Sequence, residues 1–419
     1  MDYFHYIGSE LWCEEVPVTA LVQEVGTPVY IYSNRTLVRH FDVFDDAFAD
    51  VPHIVCFSTK SNSNIAILKT LVQKGAGVDI VSGGELYRAM RAGVDPRKIV
   101  YSGVGKKEEE IRYAVESDIL MFNVESSEEL VVIDACARAM DKKARISLRV
   151  NPDVDPMTHP HISTGLKENK FGIDINKSLD EYKRARLFKN IDIVGVDCHI
   201  GSQITEITPF LDALDRLKRL IGLLRAEGIN IGYLDLGGGL GITYDEETPP
   251  HPTEYAAAII ERAGDLDCTF VFEPGRVIIG NAGMLVTQVL YRKESDEKHF
   301  VIVDAGMNDL IRPSLYESYH QIQPVIRTET ETISADVVGP ICESADFLAK
   351  QRMIPDVHRG DLLAVMSAGA YGFTMSSNYN SRPRVAEVLV KDDRYYVIRE
   401  RETYEDIVRG EKIPEYLRG

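Results

Sequence analysis

The sequence predicts two folds in one chain: an (α/β)8 barrel of the TIM type, then a second, all-β domain of the sandwich or Greek-key kind. Three observations predict this. Eight short, β-branched, apolar runs recur about 31 residues apart, the beat of a barrel of roughly 250 residues. Amphipathic stretches with apolar residues at three-to-four spacing lie between them. Beyond about Arg276 the helical signals become few and strand-like runs joined by turns take over.

The eight runs are His53–Lys60, Gly77–Ser82, Ile99–Gly103, Ile119–Val124, Arg145–Pro152, Ile193–Gly201, Tyr233–Gly239 and Thr269–Gly275. Each is apolar along its length rather than alternating, which is how a parallel strand buried on both faces reads. The helical stretches are Asn64–Lys74, Glu85–Arg91, Lys107–Glu116, Ser126–Met140, Leu179–Leu187, Pro209–Glu227 and Pro252–Ala263. Ser126 followed by Glu129 has the spacing of a capping box. A doubly wound open sheet is the alternative; eight units with none missing favour the closed barrel. The barrel is drawn over residues 28–276 and the β domain over 277–419, joined by residues 1–27. No internal repeat or low-complexity linker is visible.

Composition bounds the function. A chain of 419 residues is long for one compact domain and suits two. Its formal net charge is −18, so nucleic acid is an unfavourable partner. No apolar stretch approaches the ~18 residues that span a bilayer, and the N-terminus lacks the pattern of a secretory signal, so no membrane partner and a cytoplasmic location are expected. Cys13, Cys56, Cys136, Cys198, Cys268 and Cys342 include no CxxC pair, which fits a reducing compartment.

In such a barrel the reactive groups gather at the C-terminal ends of the strands. The first run ends in Lys60. The sixth leads into His199 and Ser202, the seventh into Gly237–Gly239, and the eighth into Glu273, Gly275 and Arg276. An amine, an imidazole, two glycine turns and a carboxylate therefore converge on one mouth. That set suits pyridoxal 5′-phosphate (PLP). Lys60 can form a Schiff base with it, and glycine turns let backbone N–H groups approach its phosphate. His199 offers a flat face to its ring. Glu273 keeps the ring nitrogen protonated, which makes the ring an electron sink. Taken singly, each residue has a structural reading: a solvated lysine, a core histidine, a turn, an ion pair between Glu273 and Arg276. Their convergence is the signal. His159 and His161 suggest a metal only weakly, because no third ligand stands out, and no metal is expected.

At these residues the sequence resembles the PLP-dependent amino-acid decarboxylases built on the alanine-racemase-type barrel, and among them the diaminopimelate decarboxylases. The resemblance runs from about Gly26 to Ile413. It rests on His199–Gln203 (HIGSQ), Asp235–Gly241 (DLGGGLG), Glu273–Arg276 (EPGR), Arg312–Tyr316 (RPSLY) and Gly339–Asp346 (GPICESAD). Ile162–Ile173 is similar to the family's active-site loop. The resemblance implies decarboxylation of meso-2,6-diaminopimelate to L-lysine and CO2, the last step of lysine biosynthesis. It implies that Lys60 carries the cofactor, that His199 stacks on its ring and that Glu273 bonds the ring nitrogen. Ser202, Gly239, Gly275 and Arg276 would hold the phosphate, helped by Tyr371. Arg276, Arg312, Tyr316 and Tyr371 would bind the substrate, and Glu343 its distal ammonium. Cys342 would return a proton to Cα. Cys342 and Glu343 would come from the partner of a homodimer, the β domain completing the active site. One departure stands beside the lysine, where Ser61 replaces the more usual Ala.

The substrate also follows from charge. Arginine forks suit a carboxylate at the far end of the substrate, where ornithine or arginine would leave them unpaired. Carboxynorspermidine is a third rival substrate. A racemase on the same barrel would favour Arg in place of Glu273, and a non-catalytic PLP carrier would not need the β domain's Arg, Cys and Glu.

Overall fold

The computed structural model describes residues 2–155, 170–295 and 298–418. The chain divides into two compact units, residues 37–280 and residues 1–36 with 281–419.

The first unit is a closed parallel barrel. Its strands are β1 (His53–Ser58), β2 (Gly77–Ile80), β3 (Ile99–Tyr101), β4 (Met121–Val124), β5 (Ala144–Asn151), β6 (Ile191–Asp197), β7 (Tyr233–Asp235) and β8 (Thr269–Phe272). Each pairs in parallel with the next, and β8 closes on β1 with Phe270 opposite His53. All eight runs are therefore strands of one barrel. The regular ladders stop short of the ends of most runs, because the residues beyond them turn to form the mouth.

Helices follow the first seven strands at Ile65–Gln73, Gly83–Ala92, Glu108–Glu116, Ser127–Ala139, Ile175–Ala185, Thr208–Ala226 and Pro252–Ala263. Ser126 caps its helix by accepting the Glu129 N–H. The Glu129 carboxylate does not close the box on Ser126. It accepts the Glu125 N–H at 2.8 Å and pairs with Lys106 at 2.6 Å. Lys106 is buried and also donates to the Gly103 and Asn123 carbonyls, so Glu129 is drawn to neutralise it.

The strands are not apolar throughout. Asp79 on β2, Asn123 on β4, Ser147 and Arg149 on β5, Asp197 on β6 and Asp235 on β7 are all buried. Buried polar groups persist only where they bond one another, and this layer builds the floor of the site.

The second unit is a β-sheet domain. Its main sheet runs Phe347–Pro355, Thr332–Val338, His299–Val303, Gly283–Glu294, Val29–Ser33, Ala386–Lys391, Arg394–Arg399, with Leu362–Val365 bridging Gly283–Glu294 and Ile322–Pro324. Val29–Ser33 pairs antiparallel with Gly283–Val286 and parallel with Ala386–Val390, which draws residues 28–36 out of the barrel and into this unit. A three-stranded sheet (Phe4–Ile7, Glu10–Cys13, Val16–Pro17) and the helix Val18–Val25 complete it. Their Leu11, Cys13, Val18 and Leu21 pack with Val29, Ile31, Met284, Val286 and Val388 into one dry core. No helix among the described residues is long and apolar enough to cross a membrane.

Candidate active site

Lys60 sits in a short 3-10 turn immediately after β1. Its Nζ lies 2.7 Å from Asp79 Oδ2, a carboxylate with no solvent exposure at the end of β2. Ser58 Oγ donates to the same oxygen at 2.6 Å. Asp79 thus holds the amine over the barrel mouth; the apolar reading of its strand concealed it. Ser61 keeps its hydroxyl on the Ser58 carbonyl at 2.7 Å. A Cβ on Gly275 would come within 3.0 Å of Ser58 and Ser61, so the first and eighth strand ends pack closely there.

Glu273, 5% exposed, accepts from Ser102 Oγ and Asn123 Nδ2, both at 3.1 Å. Asn123 also donates to Asp235 Oδ2 at 3.2 Å and accepts from Ser147 Oγ. Carboxylate oxygens of Asp197, Asp235 and Glu273 lie within 4.8 Å of one another. A cation could bridge such a cluster, but protonation relieves it. Burial, then the neighbouring acids, pushes Asp197 and Asp235 well above the usual carboxylate range. Burial, then Asp79, lifts Glu273 to about 7.

Arg149 and Glu125 form a buried pair at 2.7 Å beside this cluster, and Glu125 also accepts the Gly172 N–H. Replacing Glu125 by Ala strands the guanidinium in the interior. Denaturant unfolding should show a loss of about 3–5 kcal/mol; a loss under about 1 kcal/mol would mean that Arg149 finds another partner.

His199 follows β6. Its Nδ1 accepts the Gly238 N–H at 3.2 Å, which leaves the proton on Nε2. Burial, then Arg149 and Lys60, holds it well below the ordinary imidazole range, so the ring is neutral. The Gly237–Gly239 turn is packed too tightly for side chains. A Cβ on Gly238 would lie 2.2 Å from the Glu273 carbonyl oxygen, and one on Gly239 2.5 Å from that of Gly201. Gly237 and Gly239 also hold positive φ of 63° and 114°. The glycines thereby bring three strand-end loops together. Arg276, 7% exposed, crosses the same place, donating to Ser202 Oγ at 3.0 Å and Tyr244 OH at 2.6 Å.

This arrangement fits PLP. It offers a lysine amine, a neutral flat ring, a buried carboxylate with a raised proton affinity, and a glycine–serine cradle for a phosphate. Asp79, Ser102, Asn123, Arg149, Asp197, Asp235 and Tyr244 complete it. Asp235 stands in the DLGGGLG motif; the only trace of the others in the sequence is a polar residue within or after an apolar run.

In the β unit, Arg312 and Tyr316 begin and end the short helix Arg312–Tyr316. Cys342 and Glu343 are exposed on a turn that Asp346 pins, accepting the Ile341 and Met307 N–H groups at 2.6 Å. The Cys342 N–H bonds Asn380 Oδ1 at 2.7 Å, and Tyr379 OH donates to Glu343 at 3.1 Å. Ser314 Oγ donates to the Ala345 carbonyl at 2.5 Å, tying that helix to the turn. Tyr371 has a positive φ of 57° in the segment Ala368–Gly372. Of the expected loop Ile162–Ile173, residues 162–169 lie outside the described residues, as do His159 and His161.

The family described as "Pyridoxal-dependent decarboxylase, pyridoxal binding domain" matches residues 34–280. The diaminopimelate decarboxylase of Haemophilus influenzae is 53% identical over 97% of this chain and 98% of its own length. That of Vibrio cholerae is 52% identical over 96% and 97%. The chain belongs to the diaminopimelate decarboxylases. The crystal structure of the diaminopimelate decarboxylase from Helicobacter pylori complexed with L-lysine superposes with a TM-score of 0.91 at 43% identity, covering 94% of this chain and 98% of that one. Membership of the diaminopimelate decarboxylases makes PLP the cofactor and sets aside the racemase and carrier readings.

Proposed function

We propose that this chain decarboxylates meso-2,6-diaminopimelate to L-lysine and CO2. What carries the reading is identity of about one residue in two with diaminopimelate decarboxylases across the whole chain, both units included. PLP supplies an electron sink for the substrate's α carbon. Lys60 anchors it, with Asp79 orienting the amine. Neutral His199 would lie against its ring, and Glu273 would hold the proton at the ring nitrogen. Ser202, the Gly237–Gly239 turn and the Gly275–Arg276 step would cradle the phosphate. Arg312 and Tyr316 receive the carboxylate of the substrate's far end, as a bidentate fork suits.

The remaining groups belong to a homodimer. Glu343 of the partner subunit accepts the distal ammonium, and Cys342 of the partner subunit returns the proton to Cα. The reading includes a cytosolic site of action, supported by six cysteines that are all free.

The test is CO2 release and lysine formation from meso-diaminopimelate by purified protein, with and without added PLP. PLP-dependent release with lysine formed is the expected result. No release, with the absorbance of bound PLP retained, would overturn the substrate assignment and turn attention to ornithine, arginine and carboxynorspermidine.

A further inference from the structure

We propose that His320 is the positioning residue for Arg312, holding the guanidinium through an imidazole that must stay neutral to do so. The inference rests on the reading of Arg312 as the receptor for the substrate's distal carboxylate.

His320 has no solvent exposure, and Arg312 is 5% exposed. The His320 Nε2 lies 2.9 Å from Arg312 Nη1, and its Nδ1 lies 2.9 Å from the Met366 carbonyl oxygen. These two neighbours fix the ring's proton without ambiguity. A guanidinium only donates, so Nε2 must accept. A carbonyl only accepts, so Nδ1 must carry the hydrogen. The imidazole is therefore neutral and in one tautomer. Ser318 Oγ accepts from Arg312 Nη2 at 3.3 Å, which fixes the plane of the guanidinium at a second point.

The surroundings hold the histidine in turn. Arg352, from the strand Phe347–Pro355, donates to the His320 carbonyl at 2.8 Å and lies over the Tyr319 ring at 3.7 Å. The charged groups in these contacts are thus Arg312 at the ring and Arg352 at the backbone, both cations; Tyr319, Ser318 and the Met366 carbonyl are the neutral ones.

The choice of residue has a physical reason. An Asp or Glu at this place would orient Arg312 equally well but would neutralise it, and so compete with the incoming carboxylate. A neutral imidazole orients the guanidinium without itself neutralising it. Protonation would put an N–H against an N–H, break the contact and set two cations side by side.

The experiment measures KM and kcat for meso-diaminopimelate with PLP-loaded enzyme at neutral pH. The variants are His320→Leu, His320→Gln and Arg312→Met, each checked for bound PLP by absorbance. Loss of one charge-assisted hydrogen bond predicts that His320→Leu raises KM about tenfold while kcat stays within about twofold. His320→Gln keeps an acceptor for Nη1, so it should recover most of the affinity. Unchanged KM in His320→Leu, with KM raised in Arg312→Met, would overturn the positioning role and leave Arg312 in place. Unchanged KM in Arg312→Met would overturn the reading of Arg312 itself, and the inference with it. Should the leucine variant fail to fold, His320→Met takes its place, and an unchanged KM there would overturn the proposal.

Discussion

Replacing Glu273 with Gln should lower kcat roughly 10²–10³-fold while the protein stays folded and keeps its cofactor. Glu273 offers a buried carboxylate whose proton affinity is lifted by its dry surroundings and by Asp79. A ring nitrogen facing that carboxylate keeps its proton, because the ion pair relieves the burial that otherwise neutralises Glu273. Glutamine preserves the shape and can still bond Ser102 and Asn123, yet it cannot stabilise a charged ring. Steady-state turnover across pH checks this, and unchanged kcat would remove Glu273 from the role. Stability gives a second readout. Burial raises Glu273 from 4.5 to about 7 in the folded chain without cofactor, so the folded state binds the proton more tightly than the unfolded one. Its contribution to stability is then full below about 4.5 and is lost as pH rises through about 7. Glu273→Gln should flatten that part of the urea-midpoint profile in cofactor-stripped protein, and an unaltered profile would show that Asp197 and Asp235 carry the protons instead.

The barrel was legible because parallel strands buried on both sides leave continuous apolar runs, and the helices between them leave a different period. Strand ends were less legible. The run to Gly275 passes the end of β8 at Phe272, and the run to Gly201 passes the end of β6 at Asp197. Those extra residues are buried but bond into the mouth rather than into a ladder. Lys60 at the end of its run, together with the motifs around His199 and Glu273, points to the mouth. The polar floor did not stand out, because its meaning is non-local. Asn123 reaches Asp235 and Glu273 across 112 and 150 residues, and nothing near Asn123 in the chain announces either contact. Val29–Ser33 shows the same limit in the β unit, since its partners lie at Gly283–Val286 and Ala386–Val390. His320 is silent in the sequence for a related reason: a histidine just after RPSLY gains its role from Arg312 and Met366.

Cys342→Ala should bind PLP normally and lose roughly 10²–10⁴-fold in kcat, the usual contribution of a positioned general acid. The change costs little stability. The side chain is exposed, and the turn is held by Asp346 and by the backbone of Cys342 on Asn380, none of which the substitution touches. A melting temperature near that of the parent would therefore separate lost chemistry from lost fold, and undiminished turnover would dismiss Cys342 as the acid. The origin of that acid can be tested with the same variant. Lys60→Ala removes the cofactor anchor from one subunit, and Cys342→Ala removes the acid from the other. If each active site draws on both subunits, mixing the two inactive variants creates hybrid dimers in which one site has both residues intact. Equal mixing with random exchange should restore about a quarter of the parental activity, since half the dimers are hybrids with one sound site of two. If instead Lys60 and Cys342 serve one site within a single subunit, every site in every dimer lacks one of them, and mixing restores nothing. Activity on mixing thus reads directly whether the acid crosses the interface.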